Sequence, residues 1–370
     1  MNFDLTEEQQ MLADTTRDVL SGFDTEKRNK LVDSELGWSR ETWQQLAEIG
    51  ILGLGFDEDS GPTEVMVVLT ELGRRLAPEP VAAAALIPGA VIAAHGSDEQ
   101  RALLDGVAAG ERLLAFAHTE AGRRGSAAHG SAALSTKASG QGDSWTITGR
   151  KSPVIAGDSA DVLLVSAALP DGGAGLFLVD ASATTRTGYR TFDGQRGADI
   201  AFDNAPAQPL GAGGEASATI AETVIRFQSA LCAEAVGAMD ESLRLTTEYL
   251  KTRKQFGVPL KTFQTLTQRA ADMYVSLELA RSMNYYVTVC VEDGRFDPTV
   301  AARAKMQIGR SGKHILQESI QLHGGIGVTV EYPIAHYAAR LTAIDQTYGS
   351  ATDHLRYLSG QVGEYGVVTL

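Results

Sequence analysis

A chain of 370 residues exceeds one ordinary domain, and its 21% charged and 44% hydrophobic residues are a globular balance that argues against disorder. With 46 acidic and 32 basic side chains the formal charge is −14, which argues against nucleic acid as the main ligand while leaving room for a local phosphate-binding patch. Cys232 and Cys290 stand in apolar helical surroundings without metal-ligand spacing and read as reduced structural thiols.

The N-terminal "MNFDLTEEQQ" has neither a basic nor an apolar leader pattern, so a cytoplasmic protein is expected. From Thr6 onward the pattern is helical: Thr6 with Gln9 is a capping-box signature, and Leu12, Val19 and Leu20 follow at helical intervals. "SRETWQQLAEIGILGLG" and "TEVMVVLTELGRRL" signal two more helices. The apolar run "VAAAALIPGAVIAA" is broken by Pro88 and too short to span a membrane, and it reads as a buried pair of helices. This helical domain is placed at residues 1–110.

Between 111 and 212 the period changes. "SWTITGRK", "DVLLVSAAL", "AGLFLVDAS" and "ADIAFDNA" are short runs rich in β-branched residues, separated by Gly, Asp, Ser and Pro, and they predict a β domain. From 213 to 370 long helices return with apolar positions at three- and four-residue spacing. Three long helices and a short fourth predict an antiparallel bundle. The fold class is therefore α+β, in the order helical domain, β domain, helical bundle.

Three motifs carry chemistry. "RKQFG", Arg253 to Gly257, closes a long helix, with Gln264 seven residues after the glycine. A planar guanidinium beside an aromatic ring and a glycine turn suits a diphosphate with a flat ring nearby, although two cations at a helix end also serve as a cap. In "QLHGGIGVTVEYP", Gln321 precedes Gly324 and Gly325, whose backbone N–H groups can approach an anion; a helix C-cap accounts for the pair equally well, and His323 reads as structural. "AFAHTE", containing Phe116, His118 and Thr119, is a small-residue strand end able to present backbone and hydroxyl groups to a heterocycle.

On a chain of this architecture, "DLTEEQQML", "AFAHTE", "WTITGRK", "YLKTRKQFG" and "QLHGGIG" together resemble the acyl-CoA dehydrogenase superfamily, nearly end to end. "LCAEAVGAM" and "EYLKTRKQFGVP" resemble most the small subunit of pimeloyl-CoA-type dehydrogenases. The resemblance implies FAD, an acyl-CoA substrate desaturated to the 2-enoyl-CoA, and an electron-transferring flavoprotein as acceptor. It implies that a glutamate removes the α-proton while flavin N5 takes the β-hydride, in a site with little water.

That glutamate is absent. In most relatives it stands seventeen residues beyond the Glu of Glu-Tyr-Pro; here the motif begins at Glu331 and the position holds Tyr348, followed by Gly349 and Ser350, which match the family's Gly-Thr. The alternative position on the first bundle helix is Phe227, with Gln228 beside it where many relatives have arginine. A phenol with its pKa near ~10 is a poor base. Glu234 and Asp353 are weaker candidates for a replacement. Where relatives flank the flavin with Trp-Ile-Thr, this chain has Pro153-Val154-Ile155, and Ile155 has no hydroxyl to offer N5. His118 replaces a usually apolar residue.

Other family positions are kept. The resemblance places Arg253, Phe256, Gln264, Gln321, Gly324 and Gly325 on the FAD of a neighbouring chain, and Phe116, His118, Thr119 and Ser350 on the chain's own flavin side. The chain keeps what it would lend and has lost what it would use, which implies a heteromeric α2β2 enzyme with a catalytic partner subunit, acting on bulky or dicarboxylic acyl-CoAs such as steroid side chains. A self-sufficient homo-oligomer with an atypical base and a flavin-free scaffold are the alternatives.

Overall fold

The computed structural model describes residues 5–56, 59–122, 134–142 and 144–364. The N-terminal part comprises α1 (Glu7–Val19), α2 (Thr25–Val32), α3 (Arg40–Glu48), α4 (Pro62–Arg75), α5 (Ile87–His95), α6 (Asp98–Arg101) and α7 (Leu103–Ala108). Local chemistry sets the helix starts. Thr6 Oγ1 accepts from Gln9 N at 3.2 Å while the Gln9 side chain reaches back to Thr6 N at 3.1 Å, the reciprocal box expected from the sequence. Pro62 opens α4, where its missing N–H costs nothing, and Glu64 returns to Gly61 N at 2.8 Å.

The run around Pro88 departs from the expected helix pair. A π-helical turn, Ala82–Leu86, passes directly into α5, and Leu86 keeps right-handed helical backbone. Pro88 follows that turn inside a continuous helical run, and the wider π turn, in which Ile87 N–H reaches Ala82 O, is where the helix accommodates its ring and missing N–H.

Strands β1 (Leu114–Ala117), β2 (Lys137–Gln141), β3 (Ser144–Ile155), β4 (Val162–Ala168), β5 (Ala174–Asp180), β6 (Thr185–Arg190) and β7 (Arg196–Pro209) form one seven-stranded sheet. Its order is β1-β4-β2-β3-β7-β5 with β6 paired to β7 off this path, and a further β4–β5 pairing returns the sheet on itself around Ile147, Val154, Leu163, Val165, Phe177 and Ile200. β1 runs parallel to β4 with Phe116 opposite Leu164, and β3 pairs with β7 through two irregularities, one of them between Lys151 and Val154.

The C-terminal part holds α8 (Ser217–Thr252), α9 (Gln264–Glu292), α10 (Pro298–His323), α11 (Pro333–Gln346) and α12 (Ala351–Gly360). Between α8 and α9 lies a small hairpin of β8 (Lys254–Gln255) and β9 (Val258–Pro259). α8 belongs to two cores: its first half packs with the N-terminal helices and β1, and its second half packs inside the bundle. Its crossing with α4 is backbone on backbone. A Cβ on Gly237 would stand 1.9 Å from the Thr70 carbonyl oxygen, and one on Gly73 2.1 Å from that of Glu234.

Candidate active site and cofactor edge

β1, the middle of α8 and the break between α11 and α12 converge on one place. Phe116 and His118 point to the same face of the strand end and stack flat, with ring centroids 5.3 Å apart and planes 2° from parallel. Phe227 of α8 lies over Phe116 at 5.9 Å, and Tyr348 lies over Phe227 at 5.1 Å. The two positions at which the resemblance expects the base, Phe227 and Tyr348, therefore meet in space, and both hold aromatic rings in a four-ring stack.

The backbone at Tyr348 is held firmly. Its φ is 51° and that of Gly349 is 98°, a left-handed pair that ends α11. Gln228 Nε2 donates to the Tyr348 carbonyl at 3.0 Å and His354 Nε2 at 3.1 Å. Buried Lys305 donates to the Ile344 carbonyl at 2.6 Å, and Asp345 Oδ1 accepts from Ala351 N at 2.9 Å. Gln228 thus fixes the loop that bears Tyr348. Burial pushes the Tyr348 phenol above its ordinary value, which removes it further from base chemistry at neutral pH.

The weaker base candidates are committed elsewhere. Glu234 receives Arg340 Nε at 2.6 Å and Nη2 at 2.7 Å, while Arg340 Nη1 bonds Asp193 at 2.7 Å, so Glu234 belongs to a buried ionic network. Asp353 Oδ2 accepts from Ser350 N at 3.0 Å and from Ser350 Oγ at 2.7 Å, which makes Ser350 the N-cap of α12 and Asp353 its return partner.

One acid that composition gave no reason to single out faces this region. Glu79, 4% exposed, accepts from Ser39 N at 3.1 Å through Oε1, and its Oε2 is buried without a hydrogen-bond partner. Burial raises its carboxyl to about 7. Glu79 lines a cavity of 50 Å³ with Ile155, Phe227, Ala230 and Arg340. The signal was hidden because Glu79 sits in an unremarkable "APEP" turn, and only the fold puts it against Phe227.

On the β side, Lys151 is fully buried. Its Nζ donates to Glu120 Oε1 and to the His118 carbonyl, both at 3.0 Å, and His118 Nδ1 meets Ser166 Oγ at 2.8 Å. Burial, reinforced by the Lys151 charge, lowers His118 to about 3, so it is a neutral ring at physiological pH. Thr119 is half-buried, and its carbonyl accepts from Ser152 N at 2.8 Å.

The remaining predicted residues lie at the far end of the bundle, and all are exposed: Arg253, Phe256, Gln264, Gln321, Gly324 and Gly325. Arg253 caps α8 with extended backbone; Phe256 turns the hairpin at φ 52° with its ring 92% exposed, ahead of Gly257 at φ 83°. A positive φ is costly for an aromatic residue, and the two-residue turn with both central residues left-handed requires it. Tyr249 near the end of α8 packs on His323 at 4.5 Å, and His323 on Tyr332 at 4.9 Å, which joins the hairpin end of α8 to the Gly324–Gly325 turn. His323 is fully engaged, with Nδ1 on Ser319 O at 2.8 Å and Nε2 on Tyr332 Oη at 3.1 Å, as its structural reading expects.

Residues 6–111 match the sequence model for the acyl-CoA dehydrogenase N-terminal domain, and residues 221–352 that for the acyl-CoA dehydrogenase C-terminal domain. A variant of the Tcur3481-Tcur3483 steroid ACAD shares 34% identity at a TM-score of 0.89, over 97% of this chain and 98% of that one. The chain belongs to the acyl-CoA dehydrogenase family. Similar too are the ChsE4-ChsE5 complex of Mycobacterium tuberculosis, at 26% identity and TM-score 0.86 over 99% and 100% of the chains, and acyl-CoA dehydrogenase FadE27 of the same organism, at 28% identity over 98% and 99%. Among the described residues no helix is long and apolar enough to cross a membrane.

Acyl-CoA dehydrogenases are FAD-dependent. In this member the two sides of the cofactor site differ in fit. The cavity lined by Glu79, Ile155, Phe227 and Arg340 has a volume of 50 Å³, room for water and not for an isoalloxazine. Phe116, Phe227 and Tyr348 stack on one another beside it. The exposed edge formed by Arg253, Phe256, Gln321, Gly324 and Gly325 is open and offers cationic, aromatic and backbone donors of the kind a dinucleotide takes.

Proposed function

We propose that this acyl-CoA dehydrogenase is the non-catalytic subunit of a heteromeric enzyme. It completes the FAD site of a catalytic partner chain, which supplies the glutamate for α-proton removal, and the pair desaturates an acyl-CoA to its 2-enoyl form. The observation carrying this reading is the contrast within one chain between an aromatic-filled site and an exposed edge of Arg253, Phe256, Gln321, Gly324 and Gly325. In this arrangement Arg253 and the Gly324–Gly325 backbone meet the diphosphate, Phe256 and Gln321 the adenosine end, and Gln264 lies beside them. Phe116, His118, Thr119 and Ser350 serve the packing of the chain itself. The named steroid and two-component relatives support a bulky acyl substrate such as a steroid side chain, and electrons leave to an electron-transferring flavoprotein.

Co-expression with a neighbouring dehydrogenase-like gene, followed by counting FAD per chain, tests this reading. One FAD per two chains is expected, with none on this chain purified alone. Full occupancy of the isolated chain overturns it.

Glu79 favours one second reading, a self-sufficient enzyme with this residue as its base, because it has an uncommitted oxygen and lines the same cavity as Phe227. That reading requires the isolated chain to be yellow and to reduce an acceptor dye with an acyl-CoA, and it requires Glu79→Gln to abolish the activity.

A further inference from the structure

A second cavity, of 280 Å³, shares Ala230 with the one beside Glu79 and Phe227. One side of its wall is apolar, with Met66 from α4, Leu86, Ile87 and Ala90 around the start of α5, and Phe296 from the α9–α10 connection; Ser60, Ser229 and Glu292 add polar groups. The volume is close to the lower end of small-molecule pockets, roughly 300 Å³.

A single guanidinium enters this space. Arg226 of α8 has a side chain 18% exposed, with its Nε donating to Glu222 Oε1 at 2.9 Å and its carbon centre 4.8 Å from the Phe296 ring centroid. Its Nη1 and Nη2 groups have no hydrogen-bond partner among the described residues. A fork of donors lying on an aromatic ring, without a protein acceptor at Nη1 or Nη2, can meet an acceptor oxygen of a bound molecule in place of water.

Charge decides which kind of acceptor. Glu222 already balances Arg226 and is shared with His95 Nε2 at 2.9 Å. Glu292, a second carboxylate lining the pocket, is held by Thr63 N at 3.0 Å and Thr63 Oγ1 at 2.8 Å. One cation faces two carboxylates, so a third negative charge would be repelled, whereas a neutral carbonyl takes the free N–H groups without that cost.

We propose that this pocket binds an apolar molecule bearing an uncharged carbonyl oxygen, with the Nη groups of Arg226 donating to that oxygen and the hydrocarbon lying against Leu86, Ile87, Ala90 and Phe296. The site is remote from the exposed FAD edge, so its test stands apart from the subunit reading.

Calorimetric titration of the full chain with 2-nonanone tests it, with nonanoate as the charged counterpart. Saturable binding of 2-nonanone is expected, and weaker binding of nonanoate. Arg226→Met, which keeps the apolar stem and removes the donors, should weaken 2-nonanone binding roughly tenfold or more, the worth of a hydrogen bond to a charged group. Ala90→Leu, which fills the pocket without touching a charge, should abolish binding and guards against a folding defect in the arginine variant. The proposal is overturned if 2-nonanone shows no saturable binding, if Ala90→Leu leaves binding unchanged, if a folded Arg226→Met binds as tightly as the parent, or if nonanoate binds more tightly than the ketone.

Discussion

Glu79 carries the sharpest consequence of a single buried side chain. Burial raises its carboxyl from 4.5 to about 7, so the folded chain binds this proton more tightly than the unfolded chain does. The fold carries no penalty below the unfolded value and loses stability as pH rises from there through about 7. Glu79→Gln should therefore stabilise the protein by up to about 3 kcal/mol at pH 8 and by almost nothing near pH 4, at ~1.4 kcal/mol for each pH unit between the unfolded and folded values. Urea unfolding of both proteins across that range checks it; an equal gain at both ends would mean the ionised group is not the source. Tyr348 and Phe227 teach a different lesson. Their identities were legible from motif counting, but the stack they form with Phe116 and His118 was not, because the four residues come from three separate parts of the chain.

Two elements depend on details too small for a hydrophobic pattern to carry. α4 and α8 cross where Gly73 and Gly237 let carbonyl oxygens of the opposite helix approach the Cα atoms. Gly237→Ala is expected to cost about 1–3 kcal/mol by forcing the helices apart, even though alanine favours a helix. Chemical denaturation decides between this cost and a propensity gain. The β8–β9 hairpin behaves in the opposite way. Phe256 touches little of its own chain, so Phe256→Ala should change the stability of the isolated chain by less than about 0.5 kcal/mol. In the co-expressed pair the same substitution should lower FAD retention on gel filtration. If retention is unchanged, this ring does not serve the cofactor.

The three parts of the protein are tied together by ions as well as by apolar contact. Arg340 of α11 reaches Glu234 of α8 and Asp193 ahead of β7, and Arg28 of α2 donates to the Asp193 carbonyl at 2.8 Å. Arg340→Met leaves two buried carboxylates facing each other, and a loss of about 3–5 kcal/mol is expected on urea unfolding. Adding Glu234→Leu to that variant should recover part of the loss, because the uncompensated charge, and not the missing volume, is the cost.

Residue order fixed the succession of helical, β and helical parts, since a change of period from three-to-four to two and back is written locally in apolar spacing. The strands β3, β4, β5 and β7 and the long helices α8 to α10 were visible for that reason. β2 and β6, polar and exposed along most of their length, were not. Pro88 misled because a proline does not always end a helix, and here the π-helical turn before α5 carries the helical backbone past it. Phe227 and Tyr348, at the two positions where the resemblance expects a glutamate, were readable by counting from neighbouring motifs. Only tertiary structure brought those positions together, filled the space between them with aromatic rings, aimed Glu79 into what remained, and left Phe256 bare in solvent. Packing of distant segments sets cavity size and burial, and neither quantity is a property of any one stretch of sequence.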